Sequence, residues 1–280
     1  MNSIKFTKMH SAGNDYVFVN ATQAEVDNPS ALSVAISDRH KGVGSDGLVL
    51  LTPSKVADFA MRMFNSDGSE GSMCGNASIC LGKFIFDQKL TSKNVILLET
   101  KSGIKVLSLT IENNEVSAVK VDMGEPILDS KLIPVLCDSP EMLMCPVETS
   151  RGVFPLTSIS MGNPHTVIFC NDVDAIDVHG IGAEIENSPL FPDKVNVEFV
   201  KIISPVEIEM RVWERGSGET LACGTGACAS VVAGAITGKT SRKVLVHLKG
   251  GDLHVDWEST NNHVYLSGHG VSVFEGIYLI

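Results

Sequence analysis

The chain has 280 residues, of which 44% are hydrophobic and 20% are charged, and its formal net charge is −11. This composition is typical of a folded globular protein, and an acidic balance without any basic run argues against nucleic acid or an anionic membrane as partner. We therefore expect a small-molecule ligand. The sequence shows neither an apolar stretch approaching the ~18 residues of a membrane helix nor a signal peptide, so we expect a cytoplasmic protein.

The first half of the chain is rich in short β-branched segments bounded by Gly, Asn, Asp or Ser, a pattern typical of strands. Seven strands are predicted there, at residues 4–9, 16–20, 48–52, 59–64, 95–100, 104–111 and 116–123. Apolar residues at helical spacing predict helices at residues 29–38 and 74–88. The first half is thus predicted to be a strand-rich lobe with a buried helix.

The second half repeats this layout. Strands are predicted at residues 156–161, 165–169, 195–203, 206–213, 244–248, 253–257 and 264–266, and helices at residues 176–187 and 223–237. The last of these helices is small and apolar all round, so we expect it to be buried on every face. One more strand is predicted at residues 271–280. The matching order of elements indicates an internal duplication, with a boundary near the turn signal at residues 123–126.

The seven cysteines do not resemble a disulfide framework or a common zinc site. They lie at positions 74, 80, 137, 145, 170, 223 and 228. The number is odd, the spread is wide, and no Cys-x-x-Cys occurs. We expect reduced thiols, most of them packed in the core.

Two of the cysteines stand in matched contexts, because Cys74-Gly75 and Cys223-Gly224 each end a Gly/Ser-rich loop directly before a predicted helix. A helix N-terminus attracts anions, and glycine lets a ligand approach the backbone. The same field can lower the pKa of a thiol. One thiolate and one thiol could remove a proton from a carbon and return one to its opposite face, which inverts a stereocentre without a cofactor.

A single Cys-Gly would more simply indicate a buried helix start, but two matched copies favour an active site between two lobes. Cys80 and Cys228 are predicted to be packing residues inside the helices. Glu214 and Arg215 end a strand just before the second loop, and Gly162-Asn163-Pro164-His165 is a tight-turn signal. Any of these polar residues could instead form a surface ion pair or an ordinary turn.

Three asparagines stand at strand ends or between apolar residues. Asn14 and Asn65 lie in turn-like sequences, whereas Asn196 lies inside an apolar strand, where its amide needs a partner.

Over essentially its whole length the chain resembles the diaminopimelate epimerase family. The matching motifs are Phe64-Asn-Ser-Asp-Gly-Ser-Glu-x-x-Met-Cys74-Gly-Asn, Gly162-Asn-Pro-His165 and Glu214-Arg-Gly-x-Gly-Glu-Thr-x-Ala-Cys223-Gly-Thr-Gly-Ala-Cys228. Their joint occurrence by chance is negligible. The resemblance implies an isomerase that needs no cofactor and no metal and that converts L,L-diaminopimelate to meso-diaminopimelate for lysine and peptidoglycan precursor synthesis.

The resemblance also implies an α/β (α+β) fold and roles for individual residues. The fold has two pseudo-symmetric lobes, residues 1–123 plus 270–280 and residues 124–269, each a strand-rich, barrel-like sheet around a central helix, with the active site in the cleft between them. Cys74 and Cys223 are the catalytic base and acid, and His165 and Glu214 govern their protonation. Substrate-binding positions are Asn14, Asn65, Gly75, Asn76, Asn163, Asn196, Glu214, Arg215, Gly224 and Thr225. The family further suggests a homodimer.

One departure from the family pattern bears on the substrate. Ile79 stands where the family usually has arginine, so we assign that position no electrostatic role. The departure leaves room for a related two-cysteine racemase of another amino acid, for example histidine. A more remote alternative is a thiol-based metal or redox module that uses Cys74 and Cys223 as ligands or as a switch.

Overall fold

The computed structural model describes residues 3–280. The chain forms two compact units, the first made of Met1–Asp122 and Ser267–Ile280 and the second of Met123–Leu266. The C-terminal segment thus returns to the first unit. No helix in the described part of the chain is both long and apolar enough to cross a membrane.

The first unit contains nine strands and two helices among the residues described. They are β1 (Ser3–Ser11), β2 (Asn14–Asn20), α1 (Pro29–Ser37), β3 (Gly47–Thr52), β4 (Phe59–Asn65), β5 (Glu70–Gly71), α2 (Gly75–Asp87), β6 (Val95–Thr100), β7 (Gly103–Glu112), β8 (Glu115–Gly124) and β18 (Val271–Leu279). Strand β1 lies antiparallel between β18 and β2, β2 runs parallel to β3, and β3 is antiparallel to β4. Strand β4 pairs with the short β5 and runs parallel to β6, after which β6, β7 and β8 form an antiparallel meander.

The second unit contains the remaining elements. They are β9 (Cys145–Thr149), β10 (Gly152–Ser160), β11 (Pro164–Phe169), α3 (Val178–Glu186), β12 (Asn196–Ser204), β13 (Glu207–Glu214), β14 (Gly218–Thr220), α4 (Gly224–Ile236), β15 (Lys243–Leu248), β16 (Gly251–Trp257) and β17 (Val264–Gly268). Strand β10 lies antiparallel between β9 and β11, β11 runs parallel to β12, and β12 is antiparallel to β13. Strand β13 pairs with the short β14 and runs parallel to β15, which is antiparallel to β16.

The two units therefore share one topology. In each, two parallel strand pairs require crossover connections, and each crossover carries a helix, α1 and α2 in the first unit and α3 and α4 in the second. This agreement supports the predicted internal duplication. The three short strands β5, β9 and β14 were not predicted, because segments of two to five residues with few apolar side chains carry no clear strand pattern.

Helices α2 and α4 are each buried against the sheet of their own unit. Helix α2 contacts β1, β2 and β7, and α4 contacts β10, β11, β12, β15 and β16. Ten of the thirteen residues of α4 are buried, in agreement with its small apolar sequence. In α2, a Cβ at Gly82 would lie 2.9 Å from Val119 Cγ1, so only glycine allows this close approach. Each helix is thereby fixed with its N-terminus at a defined place on the sheet.

Candidate active site

The two predicted catalytic cysteines occupy the same structural position in the two units, because each is the N-cap of the buried helix. Cys74 precedes α2 with φ −137° and ψ 126°, and Cys223 precedes α4 with φ −129° and ψ 111°. The Ala77 N–H donates to Cys74 Sγ at 3.5 Å, and the Gly226 N–H donates to Cys223 Sγ at 3.3 Å. In both units the sulfur thus takes the place of the usual oxygen cap at the positive end of a helix.

Burial is the main influence on the ionisation of Cys223. Its side chain is buried, and this burial, followed by the negative charges of Glu214 and Glu198, raises the pKa of the thiol well above its ordinary value. Hydrogen bonds from Thr225 and Gly226 lower the pKa but do not offset the rise. At Cys223, desolvation therefore outweighs the lowering of the pKa that a helix N-terminus can produce.

A chain of hydrogen bonds leads from Cys223 to a buried carboxyl group. Cys223 Sγ lies 3.4 Å from Thr225 Oγ1, which accepts from Asn163 Nδ2 at 3.3 Å. Asn163 Oδ1 lies 3.0 Å from His165 Nε2, and His165 Nδ1 lies 2.7 Å from Glu198 Oε1. His165 and Asn163 are thus connected to the thiol through Thr225, a position predicted only to bind substrate.

Glu198 is the component of this chain that sequence reasoning missed. Glu198 and His165 are both fully buried, and Glu198 Oε2 has no hydrogen-bond partner among the described residues. The signal was present in the sequence, since Val195-Asn-Val-Glu198-Phe-Val is an apolar strand with an ionisable residue inside it. A buried carboxyl group requires a partner, and a histidine on the neighbouring strand provides it.

Asn196 satisfies its amide through the backbone. Its Nδ2 donates to Pro164 O at 2.8 Å, and its Oδ1 accepts from the Arg215 N–H at 2.9 Å. The side chain is buried, so the sequence-based requirement for a partner is met. Asn196 thereby ties the start of β11 to the loop that carries Arg215.

The loop after β13 is also held by a buried carboxylate, Glu186 of α3. Glu186 accepts from Trp213 Nε1 at 2.7 Å and from the Gly216 N–H at 3.0 Å. At the end of β13 Glu214 accepts a hydrogen bond from the Thr220 hydroxyl, and in the loop Arg215 Nη1 donates to Asp193 O at 2.8 Å. The structure therefore fixes the backbone on both sides of the two residues predicted to grip the substrate.

In the first unit, Cys74 contacts side chains from strand β2. Tyr16 Oη donates to Cys74 Sγ at 3.5 Å, and Cys74 Sγ donates to Asn14 Oδ1 at the same distance. The Asn14 amide in turn donates from Nδ2 to Asp46 Oδ2 at 2.7 Å. Sequence analysis named Asn14 but neither Tyr16 nor Asp46, because nothing in their local sequence connects them to residue 74.

The remaining predicted positions of the first unit differ in exposure. Asn65 ends β4 with an exposed side chain that donates to Ser69 Oγ at 3.0 Å. Asn76 is 1% exposed, and neither Nδ2 nor Oδ1 has a partner among residues 3–280. Gly75 and Gly224 are the buried first residues of their helices, and Thr225 follows Gly224. A buried amide without a partner at a helix start is a ready donor for a bound carboxylate.

The other thiols have no comparable setting. All seven cysteines are free of disulfides. Cys80 and Cys228 are fully buried within the helices, as predicted, and burial, followed by the neighbouring Cys74, raises the pKa of Cys80. Residues 3–280 contain no group of three or more His, Cys, Asp or Glu side chains that could hold a metal ion.

Comparisons with known proteins agree with the motifs. The family model for diaminopimelate epimerase matches residues 6–128 and 157–273. The diaminopimelate epimerase of Acetivibrio thermocellus is 54% identical over 98% of this chain and 98% of its own length. That of Methanococcus maripaludis strain C6 is 51% identical over 98% of this chain and 99% of its own.

A solved structure extends the likeness to the fold. A hydroxyproline epimerase from Agrobacterium vitis, with bound trans-4-hydroxy-L-proline, superposes with a TM-score of 0.71 at 14% identity, covering 99% of this chain and 91% of that one. At this identity the likeness concerns the strand-rich α/β fold alone. The family matches, in contrast, cover nearly the whole sequence at about half identity, and on that basis this chain belongs to the diaminopimelate epimerase family.

Proposed function

We propose that this protein interconverts L,L- and meso-diaminopimelate by removing and returning the α-proton with two thiols, Cys74 and Cys223. The observation that carries the proposal is the pair of cysteine N-caps with matching backbone geometry, one in each half of a duplicated fold. A two-base inversion needs one proton acceptor and one proton donor on opposite faces of a carbon, and the duplication provides two equivalent groups.

The helix starts beside the thiols suit the substrate's α-carboxylate. N–H groups in the first turn of a helix favour anions, and Gly75 and Gly224 place no side chain in the way. The Asn76 amide is buried without a partner among the described residues, so a carboxylate oxygen would satisfy its N–H donor. We assign α-carboxylate binding to Gly75, Asn76, Gly224 and Thr225.

Proton transfer from the α-carbon requires a thiolate, whereas burial and the nearby carboxylates raise the pKa of Cys223 and favour its thiol form. One of the two cysteines therefore gives up its proton to solvent before turnover. In the L,L to meso direction this thiolate removes the α-proton and the thiol of the other cysteine protonates the resulting carbanion, so the two cysteines exchange protonation states in each turnover. His165 and Glu214 adjust this exchange on the Cys223 side, His165 through Asn163 and Thr225, and Glu214 through its charge. Asn65, Asn196 and Arg215 remain our assignments for the distal end of the substrate.

The replacement of the usual arginine by Ile79 does not change the proposed substrate. Ile79 is fully buried in α2, where it packs as a core side chain. The relatives at 51–54% identity carry the name diaminopimelate epimerase. We therefore propose diaminopimelate as the substrate in preference to histidine, acting in the cytoplasm on a free amino acid.

Exchange in deuterated water tests this proposal. The enzyme, freed of metal by a chelator and without pyridoxal phosphate, is incubated with L,L-diaminopimelate, meso-diaminopimelate, histidine and proline, and the α-deuterium content is followed by mass spectrometry. We expect label to enter both diaminopimelate isomers and neither of the other amino acids. Brisk exchange of histidine without exchange of diaminopimelate would contradict the substrate assignment, and a strict metal requirement would contradict the mechanism.

A further inference from the structure

We infer that Asp46 is a positioning residue that fixes the Asn14 amide with its oxygen toward Cys74, and thereby holds Cys74 in the protonated, thiol form in the substrate-free protein. The inference rests on the proposed function in one respect, since the protonation of Cys74 matters for turnover only if Cys74 is an acid or base. The hydrogen bonds from which it is argued are those of the substrate-free protein.

The orientation of the Asn14 amide follows from its partner. Asp46 Oδ2 accepts both from Asn14 Nδ2 at 2.7 Å and from the Asp15 backbone N–H at 3.1 Å. An oxygen that receives a backbone N–H is an acceptor, so the Asn14 group facing it is the NH2. The Asn14 oxygen must then point the other way, and Cys74 Sγ lies 3.5 Å from it.

This orientation distinguishes the two protonation states of Cys74. Asn14 Oδ1 can only accept a hydrogen bond, and it therefore pairs with an S–H and opposes the lone pairs of a thiolate. The Tyr16 hydroxyl and the Ala77 N–H donate to the same sulfur, which leaves the thiol hydrogen for Asn14. These three contacts are compatible with a thiol, and the one to Asn14 Oδ1 is incompatible with a thiolate.

The corresponding contact of Cys223, in the second unit, does not distinguish a thiol from a thiolate. Cys223 Sγ faces the Thr225 hydroxyl, which can donate to a thiolate or accept from a thiol. The carboxamide oxygen at Cys74 and the hydroxyl at Cys223 are therefore a built-in difference between the two N-cap thiols. After Cys74 has given its proton to a substrate carbanion, the resulting thiolate faces the Asn14 oxygen, which favours its reprotonation.

Other charged or titratable groups surround this contact. Asp15 forms ion pairs with Lys8 at 2.5 Å and with Arg39 at 2.7 Å, and Arg39 also pairs with Asp46 at 2.9 Å. Tyr16 on β2 and Cys80 on α2 are further ionisable groups close to Cys74. Arg39 binds both carboxylates, while burial and then the neighbouring Asp15 raise the pKa of Asp46. The test therefore has to separate the charge of Asp46 from its hydrogen bond to Asn14.

The test compares Asp46→Ala with Asp46→Asn. The asparagine variant loses the charge but keeps an oxygen where Oδ2 receives both N–H groups, whereas the alanine variant loses the charge and releases the Asn14 amide. The Asp46 side chain is 42% exposed, so neither substitution opens a cavity in the core. The rate of Cys74 alkylation by iodoacetamide is measured against pH by peptide mass spectrometry, with Cys145 in the same digest as the reference thiol.

We expect the alkylation midpoint of Cys74 in Asp46→Ala to fall about one pH unit below that in Asp46→Asn, which means about tenfold faster alkylation at a pH below both midpoints. Asn14→Ala should give the same shift, and the double variant no further shift. Equal midpoints in Asp46→Ala and Asp46→Asn would overturn the inference, because charge alone would then account for any effect. The assay uses no substrate, so its outcome is independent of whether diaminopimelate is turned over.

Discussion

The buried pair of His165 and Glu198 gives the most quantitative prediction of the structure. His165 Nδ1 and Glu198 Oε1 lie 2.7 Å apart with both side chains fully buried, and Oε2 has no second partner in the described part of the chain. Removal of one partner leaves the other buried without compensation, which typically costs about 3–5 kcal/mol. We therefore expect Glu198→Ala and His165→Ala each to lose about 3 kcal/mol of unfolding free energy.

The double variant should lose less than the sum of the two single variants, with a coupling energy of about 2 kcal/mol. Lys201 and Glu209 provide a matched control on the adjoining strands β12 and β13, because they lie 3.2 Å apart but are about a third exposed. Their coupling should be much smaller, because solvent screens an exposed ion pair. The result would refute our reasoning if the His165–Glu198 coupling were no larger than that of the surface pair.

Tryptophan fluorescence reports the unfolding of the second unit alone. The two tryptophans of the chain, Trp213 and Trp257, both belong to it. Urea unfolding followed by tryptophan fluorescence therefore reports the unit that contains the pair, even if the first unit unfolds in a separate transition. Both cycles are measured at the same pH and salt concentration, so that screening affects them equally.

Three further predictions follow from single contacts. Burial, followed by the charge of Glu214, raises the pKa of Cys223, so the alkylation rate of Cys223 should still be rising above pH 9. Glu214→Gln should lower the pH midpoint of this alkylation. An unchanged midpoint would contradict the charge effect assigned to Glu214. Burial opposes ionisation of Glu219, but hydrogen bonds from Arg211 and Lys249 outweigh it and lower its pKa from 4.5 to about 2. Glu219 thus contributes stability above pH 4.5 that is lost as the pH falls toward 2, so the stability deficit of Glu219→Gln, measured by urea unfolding, should disappear over that range. Gly226→Ala would place a Cβ 2.7 Å from Glu198 Oε1. Unfolding curves should therefore show a loss of about 1–3 kcal/mol of unfolding free energy, although alanine favours a helix. A gain in stability would show that the carboxylate can move.

The sequence predicted the fold where local pattern and tertiary structure agree. Strand β6 and the strands around it are short β-branched segments between turn residues, and α4 is a run of small apolar residues that can only be buried. The short strands β5 and β14 were missed because their pairing with β4 and β13 depends on the loop that brings them there. Such pairing is a tertiary effect that leaves no periodic pattern in two or three residues.

At the site, the sequence indicated the cysteines but could not supply the groups behind them. The matched Cys-Gly loops are local signals, and both proved to be helix caps. Asp46 and Glu198 act on the thiols through Asn14 and His165, contacts that span 32 and 33 residues of sequence. For Cys223, the sequence shows the helix N-terminus that can lower the pKa of the thiol, but not the burial that outweighs it.

The most direct test of the two-thiol mechanism is the rate of epimerisation and of solvent-deuterium incorporation in single-thiol variants. Cys74→Ala and Cys223→Ala are compared with Cys80→Ala and Cys228→Ala, which remove the buried thiols of the same two helices. We predict that each of the first pair abolishes conversion of L,L- to meso-diaminopimelate, while each of the second pair retains it. Full conversion by Cys74→Ala or Cys223→Ala, or its loss in a correctly folded Cys80→Ala or Cys228→Ala, would contradict the assignment of Cys74 and Cys223 as the acid and the base.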